Sequence, residues 1–298
     1  MHIPRNPAIT TFQVGDIRID RIVEMEIPFR TVEESYAGVD RDAFEAVRPD
    51  FEPWALEPGS EKLILAIQSY LIRTRRHTIL VDTCVGCGKT NDFFPDWHQR
   101  DDPRWLRSLA AVGVLPEAVN FVLCTHLHSD HCGWNTQLLN GRWVPTFANA
   151  TYFMASDEVS PMAEAEGNGY TNTTYAESVL PVIEAGQAEL VASDHALDDE
   201  VWFEPTPGHT RGHVAVRMRS KGQEAVLCGD LIHSPLQCLF ADWQYRIDWD
   251  SEMGVATRRR FLDEAAETGC PVLTAHFPSP SMGYVRTDGS AWIFEFVH

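Results

Sequence analysis

Apolar and polar positions alternate from Phe12 to Val23 around a Gly15-Asp16 turn, and this predicts a β-hairpin. A second pair of strands, Leu63 to Ile72 and Thr78 to Val81, is predicted to flank the polar turn Arg73-Thr74-Arg75-Arg76-His77. Between the two pairs, residues 30–60 read as irregular or briefly helical. From Pro103 to Val112 the period changes: Leu106, Leu109 and Val112 recur at helical spacing, with Gly113 as the stop. Residues 251–268 predict another helix, with Met253, Ala256, Leu262 and Ala265 as its buried stripe and Gly269 as its end.

Three short runs follow neither period. Phe121-Val122-Leu123-Cys124, Ala225-Val226-Leu227-Cys228 and Pro271-Val272-Leu273-Thr274 read as buried strands of an α/β fold. Each runs into a loop that begins with a metal-ligand residue type: Thr125-His126, Gly229-Asp230 and Ala275-His276. Carboxyl ends of strands are where α/β folds place their sites.

No repeat, low-complexity tract or flexible linker divides the 298 residues, so one domain over 1–298 is the reading, with 1–60 as an N-terminal extension packing on it or on a partner subunit. The balance of 24 Lys+Arg against 43 Asp+Glu gives a net charge of −19, with the carboxylates scattered along the chain. Such a surface repels phosphate backbones and anionic lipid heads, which argues against nucleic acid and membrane as partners. Arg258-Arg259-Arg260, the one compact basic run, reads as a solvated helix face. No stretch approaches the roughly 20 apolar residues of a membrane helix, and Met1 to Arg5 open no signal peptide. A cytoplasmic address is expected. The seven cysteines, at 84, 87, 124, 132, 228, 238 and 270, are an odd count that fits reduced thiols, and Cys84-Val85-Gly86-Cys87 reads as an ordinary loop.

His126-Leu127-His128-Ser129-Asp130-His131 places three imidazoles and a carboxylate within one short segment just past a strand end. These ligands suit Zn²⁺ first and also Mn, Co or Fe, and the absence of a thiolate points to a catalytic metal rather than a structural one. His209 in Pro207-Gly208-His209-Thr210, Asp230 and His276 supply the same ligand types downstream. His2, His77, His98, His195 and His298 read as ordinary surface or core residues, and no G-x-S-x-G element supports a serine nucleophile.

This ordered set resembles the metallo-β-lactamase superfamily, whose HxHxDH motif is matched in full. The resemblance runs from about residue 60 to 280 and implies a four-layer αββα sandwich. It implies His126, His128 and His209 on a first metal, Asp130, His131 and His276 on a second, and Asp230 bridging them. Asp82, in Val81-Asp82-Thr83, matches an early Asp that orients the ligand loop. His213 is read as a supporting or packing residue. Asp230 stands where resistance enzymes carry Cys or Ser nearby, which disfavours antibiotic hydrolysis.

Gly229-Asp230-Leu231-Ile232-His233 resembles the lactonase and methyl-parathion-hydrolase branch, in which His233 is expected to hydrogen-bond the substrate's carbonyl, phosphoryl or leaving oxygen. The implied reaction is attack of a metal-bridging hydroxide on a lactone or hydrophobic ester, with phosphotriesters as further substrates. Asp130, Asp230 and His233 are the expected catalytic residues. Two alternatives share the fold: a mononuclear iron persulfide dioxygenase and a glyoxalase-II-like thioester hydrolase.

Specificity should come from loops. Phe93-Phe94-Pro95-Asp96-Trp97 and Trp134 are expected to form an apolar pocket wall, a subunit contact in a homodimer, or core. Residues 157–180 are expected to form a lid, and Phe240, Trp243 and Trp249 to add apolar surface for a small-molecule substrate.

Overall fold

The structure, a computed structural model, describes residues 9–168 and 172–297. His2, His298 and the Gly169-Tyr170 part of the expected lid lie outside that set. Seven strands form one sheet in chain order: β1 (Ile9–Val14), β2 (Ile17–Thr31), β3 (Lys62–Arg73), β4 (Thr78–Val81), β5 (Phe121–Leu123), β6 (Thr151–Ala155) and β7 (Ala188–Val191). Its first four strands pair antiparallel and β4 to β7 pair parallel. Six more form a second sheet, again in chain order: β8 (Val201–Pro205), β9 (Val214–Ser220), β10 (Gln223–Leu227), β11 (Val272–Leu273), β12 (Met282–Asp288) and β13 (Ala291–Phe296).

The two-residue period of a strand explains the layering. Ile17, Ile19, Ile72, Ile79, Val81 and Leu123 point from the first sheet toward Val201, Phe203, Val214, Val216, Leu227 and Leu273 of the second, and form the central core. Their neighbours Leu71, Leu80 and Val122 point outward and pack with Trp105 and Leu109 of the helix Arg104–Ala111. Ala215, Val226 and Val272 point out of the second sheet onto Phe261, Leu262 and Ala265 of the helix Ser251–Thr268. The result is the expected αββα sandwich. Strands β1 and β2 are built into the first sheet, and residues 30–60 include a helix, Arg41–Phe51, capped by the Asp40 side chain.

Two expectations about the helix Ser251–Thr268 are corrected. Its buried residues are Gly254, Thr257, Arg258, Phe261, Leu262 and Ala265, whereas Met253 and Ala256 are exposed. The stripe is rotated because the first turns pack on a loop rather than on apolar side chains: the Thr257 hydroxyl donates to Pro207 O at 2.8 Å. A Cβ on Gly208 would stand 2.4 Å from the Gly254 Cα. Arg258 is not solvated either, being 1% exposed, and its guanidinium donates to Leu231 O, Ala241 O and Trp243 O.

Candidate metal centre

All the ligand types lie at one edge of the sandwich. His126 and His128 follow β5, and Asp130 and His131 sit on the short helix Ser129–Cys132. His209 lies between β8 and β9, Asp230 just past β10, and His276 just past β11. Backbone hydrogen bonds fasten the sheets together there, from Val214 N–H to Thr125 O (2.9 Å) and from Ala66 N–H to His276 O (3.0 Å). Gly229, with φ of +53°, turns the chain from β10 into Asp230, and a Cβ there would stand 2.6 Å from His213 Nε2.

Two ligand groups result. His126, His128, His209 and Asp230 form one, and Asp130, His131 and His276 the other, with the ligand atoms of each group within 4.8 Å of one another. Asp230 faces both, with Oδ2 3.3 Å from His209 Nε2 and Oδ1 3.0 Å from His276 Nε2.

The outward hydrogen bonds fix which imidazole nitrogens face inward with lone pairs. His209 Nδ1 donates to Asp248 Oδ1 (2.8 Å), His131 Nδ1 to Asp82 Oδ2 (2.9 Å) and His276 Nδ1 to Ala66 O (2.8 Å). In the neutral rings each opposite Nε2 is then an acceptor. Yet His131 Nε2 lies 3.2 Å from His276 Nε2, and His209 Nε2 lies 2.9 Å from His128 Nδ1, itself 3.0 Å from His126 Nε2. His131 and His276 thus aim lone pairs at one another, which fits a cation between them, and the convergence of the His209, His128 and His126 nitrogens forms a second such cluster. Asp230 Oδ1 likewise has no partner of proper hydrogen-bond geometry.

The electrostatics divide between the two groups. Burial, reinforced by the neighbouring imidazoles, holds His126 and His209 well below the ordinary histidine range and His128 at about 3, so their lone pairs are free at neutral pH. Burial opposes charge on His131 and His276 as well, but the carboxylates of Asp230 and Asp130 raise both. For Asp230, burial is overcome by His131, His276 and His233, which hold its carboxyl well below the usual range.

A surrounding set of polar groups holds the ligand loops. Asp82 accepts from the Thr125 N–H (2.8 Å) and hydroxyl (2.7 Å) as well as from His131. His213 is buried; Thr206 contacts its Nδ1, and its Nε2 accepts from the Asp230 N–H at 2.9 Å. Three further groups were not recognised from sequence. Glu158, on the helix Ser156–Gly167, accepts from Leu127 N–H (3.1 Å) and Gly212 N–H (2.8 Å), joining the His126–His131 loop to the His209 loop. Asp248 orients His209 and faces Arg258 at 3.8 Å. Glu24 sits where the β2–β3 register slips between Val23 and Met25, and accepts from Val85 N–H (2.9 Å) and Trp134 Nε1–H (2.8 Å). No local motif marks these residues, because each acts on a segment remote in sequence.

A family model described as the metallo-beta-lactamase superfamily matches residues 64–280. The chain belongs to that superfamily. Among its relatives, an N-acyl homoserine lactonase of Bacillus cereus is 26% identical over 220 residues, covering 70% of this chain and 79% of that one. Another, from a Bacillus species, is 26% identical over 182 residues, covering 58% of this chain and 65% of its own length, just under two thirds. Among solved structures, the hydrolase AbOPH superposes with a TM-score of 0.79 at 22% identity, covering 97% of both chains. AidC, described as a dizinc quorum-quenching lactonase in complex with a product, gives 0.78 at 19% identity over 97% of this chain and 98% of that one. These likenesses establish the superfamily fold.

Above the two groups lies a cavity of about 400 Å³, with Asp130, Asp230, His128 and His276 in its lining. Leu65, Phe29, Phe94, Trp97, Met162 and Ile247 supply its apolar walls, so the 93–97 loop does form a pocket wall. Trp134 does not, since it is buried against Trp105 at 5.7 Å. Phe240 and Trp243 pack instead around Tyr36 and Phe44, and Trp249 is 51% exposed. Tyr245 reaches the cavity in their place, stacked on His233 with ring centroids 3.6 Å apart. His233 is 2% exposed, its Nε2 lies 3.2 Å from Asp230 Oδ2, and neither ring nitrogen has a hydrogen-bond partner. All seven cysteines are free, and no described helix is long and apolar enough to cross a membrane.

Proposed function

We propose that the protein is a dinuclear metal-dependent hydrolase that opens a lactone or cleaves a hydrophobic carboxylic ester, with phosphotriesters as secondary substrates. The observation that carries the reading is the pair of adjoining ligand groups facing a common carboxylate, Asp230, beneath a largely apolar cavity. His126, His128 and His209 would hold one ion, Asp130, His131 and His276 the other, and Asp230 both. Bound there, two divalent ions supply Lewis acidity that lowers the pKa of a water and polarises a carbonyl. Zinc is the proposed metal, because the donors are imidazole and carboxylate without thiolate.

The chain's own residues do the rest. Asp130, 13% exposed at the cavity floor, orients the attacking water. His233, buried beside Asp230 and Tyr245 and not itself in the cavity lining, has unpartnered ring nitrogens, and a substrate that reaches past Tyr245 would take a hydrogen bond from it at the carbonyl, phosphoryl or leaving oxygen. The apolar walls select a hydrophobic small molecule and exclude water from the reacting bond. A mononuclear dioxygenase would need only the first ligand group, and the presence of the second favours the hydrolase. Seven free cysteines support a reducing, cytoplasmic compartment.

The test is turnover of a panel of N-acyl homoserine lactones, aryl esters and aryl phosphotriesters, with oxygen uptake followed in parallel. Lactone or ester hydrolysis without oxygen consumption is expected, and His233→Ala should lower turnover by 10-fold or more. Oxygen uptake on a persulfide with no hydrolysis would overturn the reading.

A further inference from the structure

Arg30 sits in the lining of the cavity at the end of β2, and it is only partly exposed. Its guanidinium lies over the Phe94 ring at 5.0 Å and the Phe29 ring at 5.7 Å, so the aromatic wall fixes its position. Most of the chain's other arginines are held by carboxylates, as Arg41 is by Glu61, Arg48 by Glu61 and Arg217 by Glu264. Arg30 has none within ion-pair range among the described residues, and its side chain makes no hydrogen bond there. Asp92, the other charged group at the rim, is exposed and makes no ion pair with it.

An arginine left unpaired in a chain of net charge −19, and held against an aromatic wall within the substrate cavity, has its five N–H donors free for a ligand. The cavity therefore presents three things together: ligand residues at the floor, an apolar wall, and a fixed planar cation. A carboxylate matches the guanidinium fork in charge and shape, and a neutral acyl chain does not use it.

We propose that Arg30 is a specificity residue for substrates that carry a carboxylate on an apolar body, away from the ester or lactone bond that is cleaved. This rests on the hydrolase reading above and narrows its substrate class. The carboxylate end docks on Arg30, the body lies along Phe29 and Phe94, and the scissile carbonyl reaches the floor.

The test uses two matched substrates, mono(4-nitrophenyl) adipate and its methyl ester, with the wild type, Arg30→Gln and Arg30→Lys. The ratio of kcat/KM for the free acid over the methyl ester is the readout, because a general defect in folding or metal loading cancels in it. The wild type should favour the acid. Arg30→Gln should lower the ratio about 10-fold, the weight of a partly exposed charge-assisted contact, while Arg30→Lys keeps part of it. A ratio within 2-fold of wild type in Arg30→Gln would overturn the proposal.

A wild type that hydrolyses neither ester leaves this ratio without a value, and the hydrolase reading itself fails if the lactone, aryl ester and phosphotriester panel is untouched as well. Arg30 is then judged by calorimetric binding of adipic acid monoanilide against the matching N-methyl diamide. Loss of the acid's advantage in Arg30→Gln supports the anion site, and an unchanged advantage removes it.

Discussion

Replacing Glu158 by alanine tests whether the helix Ser156–Gly167 holds the metal centre together. The carboxylate is buried and accepts from two backbone N–H groups that belong to different ligand loops, at 3.1 Å from Leu127 and 2.8 Å from Gly212. Removing it leaves both donors in a buried environment, at about 1–3 kcal/mol each. Part of that is returned, because burial raises the Glu158 pKa and so already opposes its charged form. The net loss should be about 2–4 kcal/mol in urea unfolding of the metal-depleted protein.

Leu127 lies between two proposed ligands and Gly212 three residues past another, so the loosening should also weaken metal binding about 10- to 100-fold. Competition with a chromogenic chelator measures this. Glu158→Gln keeps one acceptor and turns an NH₂ toward the other donor, and should fall between the two. The reasoning is refuted if Glu158→Ala unfolds within 0.5 kcal/mol of wild type and holds its metals as tightly.

Three other outcomes follow from the same geometry. Arg258→Met leaves three buried carbonyls without their donor and removes the cation facing Asp248, which keeps only His209, and should cost about 3–5 kcal/mol by thermal or urea unfolding. Adding Asp248→Asn should cost less than the sum of the two single changes. Glu24 has its pKa raised to about 7, chiefly by burial, with Arg100 the charged group facing it and the Cys84 and Cys87 thiols nearby. The folded protein then keeps a proton that the unfolded chain loses above about 4.5. Stability should fall between roughly pH 4.5 and 7 by up to about 3 kcal/mol, and Glu24→Gln should flatten that slope in unfolding measured across the range. Asp230→Asn should lower kcat by orders of magnitude, and near-normal turnover with both metals retained would refute a shared-ligand role.

Of the proposed ligand positions, His126, Asp230 and His276 were legible because three runs of apolar residues each end in a ligand type, and strand ends put such residues on one edge of a sheet; the full set, with His209, came from the resemblance of the ordered motif. The strands β2, β3 and β4 were legible as apolar runs broken by turns, but β3 is buried on both faces from Leu65 to Ile72, so the layering came from the resemblance rather than from alternation. The helix Ser251–Thr268 was not, because its buried face is set by small residues. Gly254 and Thr257 admit the Pro207-Gly208 backbone, and Arg258 is buried by carbonyls that no pattern in its own segment reveals. Glu158, Asp248 and Glu24 were missed on the same ground. Each acts through a contact with a distant segment, and in the sequence they look like any of the other surface carboxylates. The aromatic residues divided by topology: the 93–97 loop faces the cavity, whereas Trp134 and Trp243 fill cores beside it.

The most direct test of the dinuclear reading is elemental mass spectrometry of the freshly purified protein, expressed as metal per chain. Close to two equivalents of zinc, or of manganese or cobalt in its place, is the predicted result, with loss of His276 or His131 lowering the count toward one. A single equivalent of iron, unchanged by substitution at His276, would contradict it.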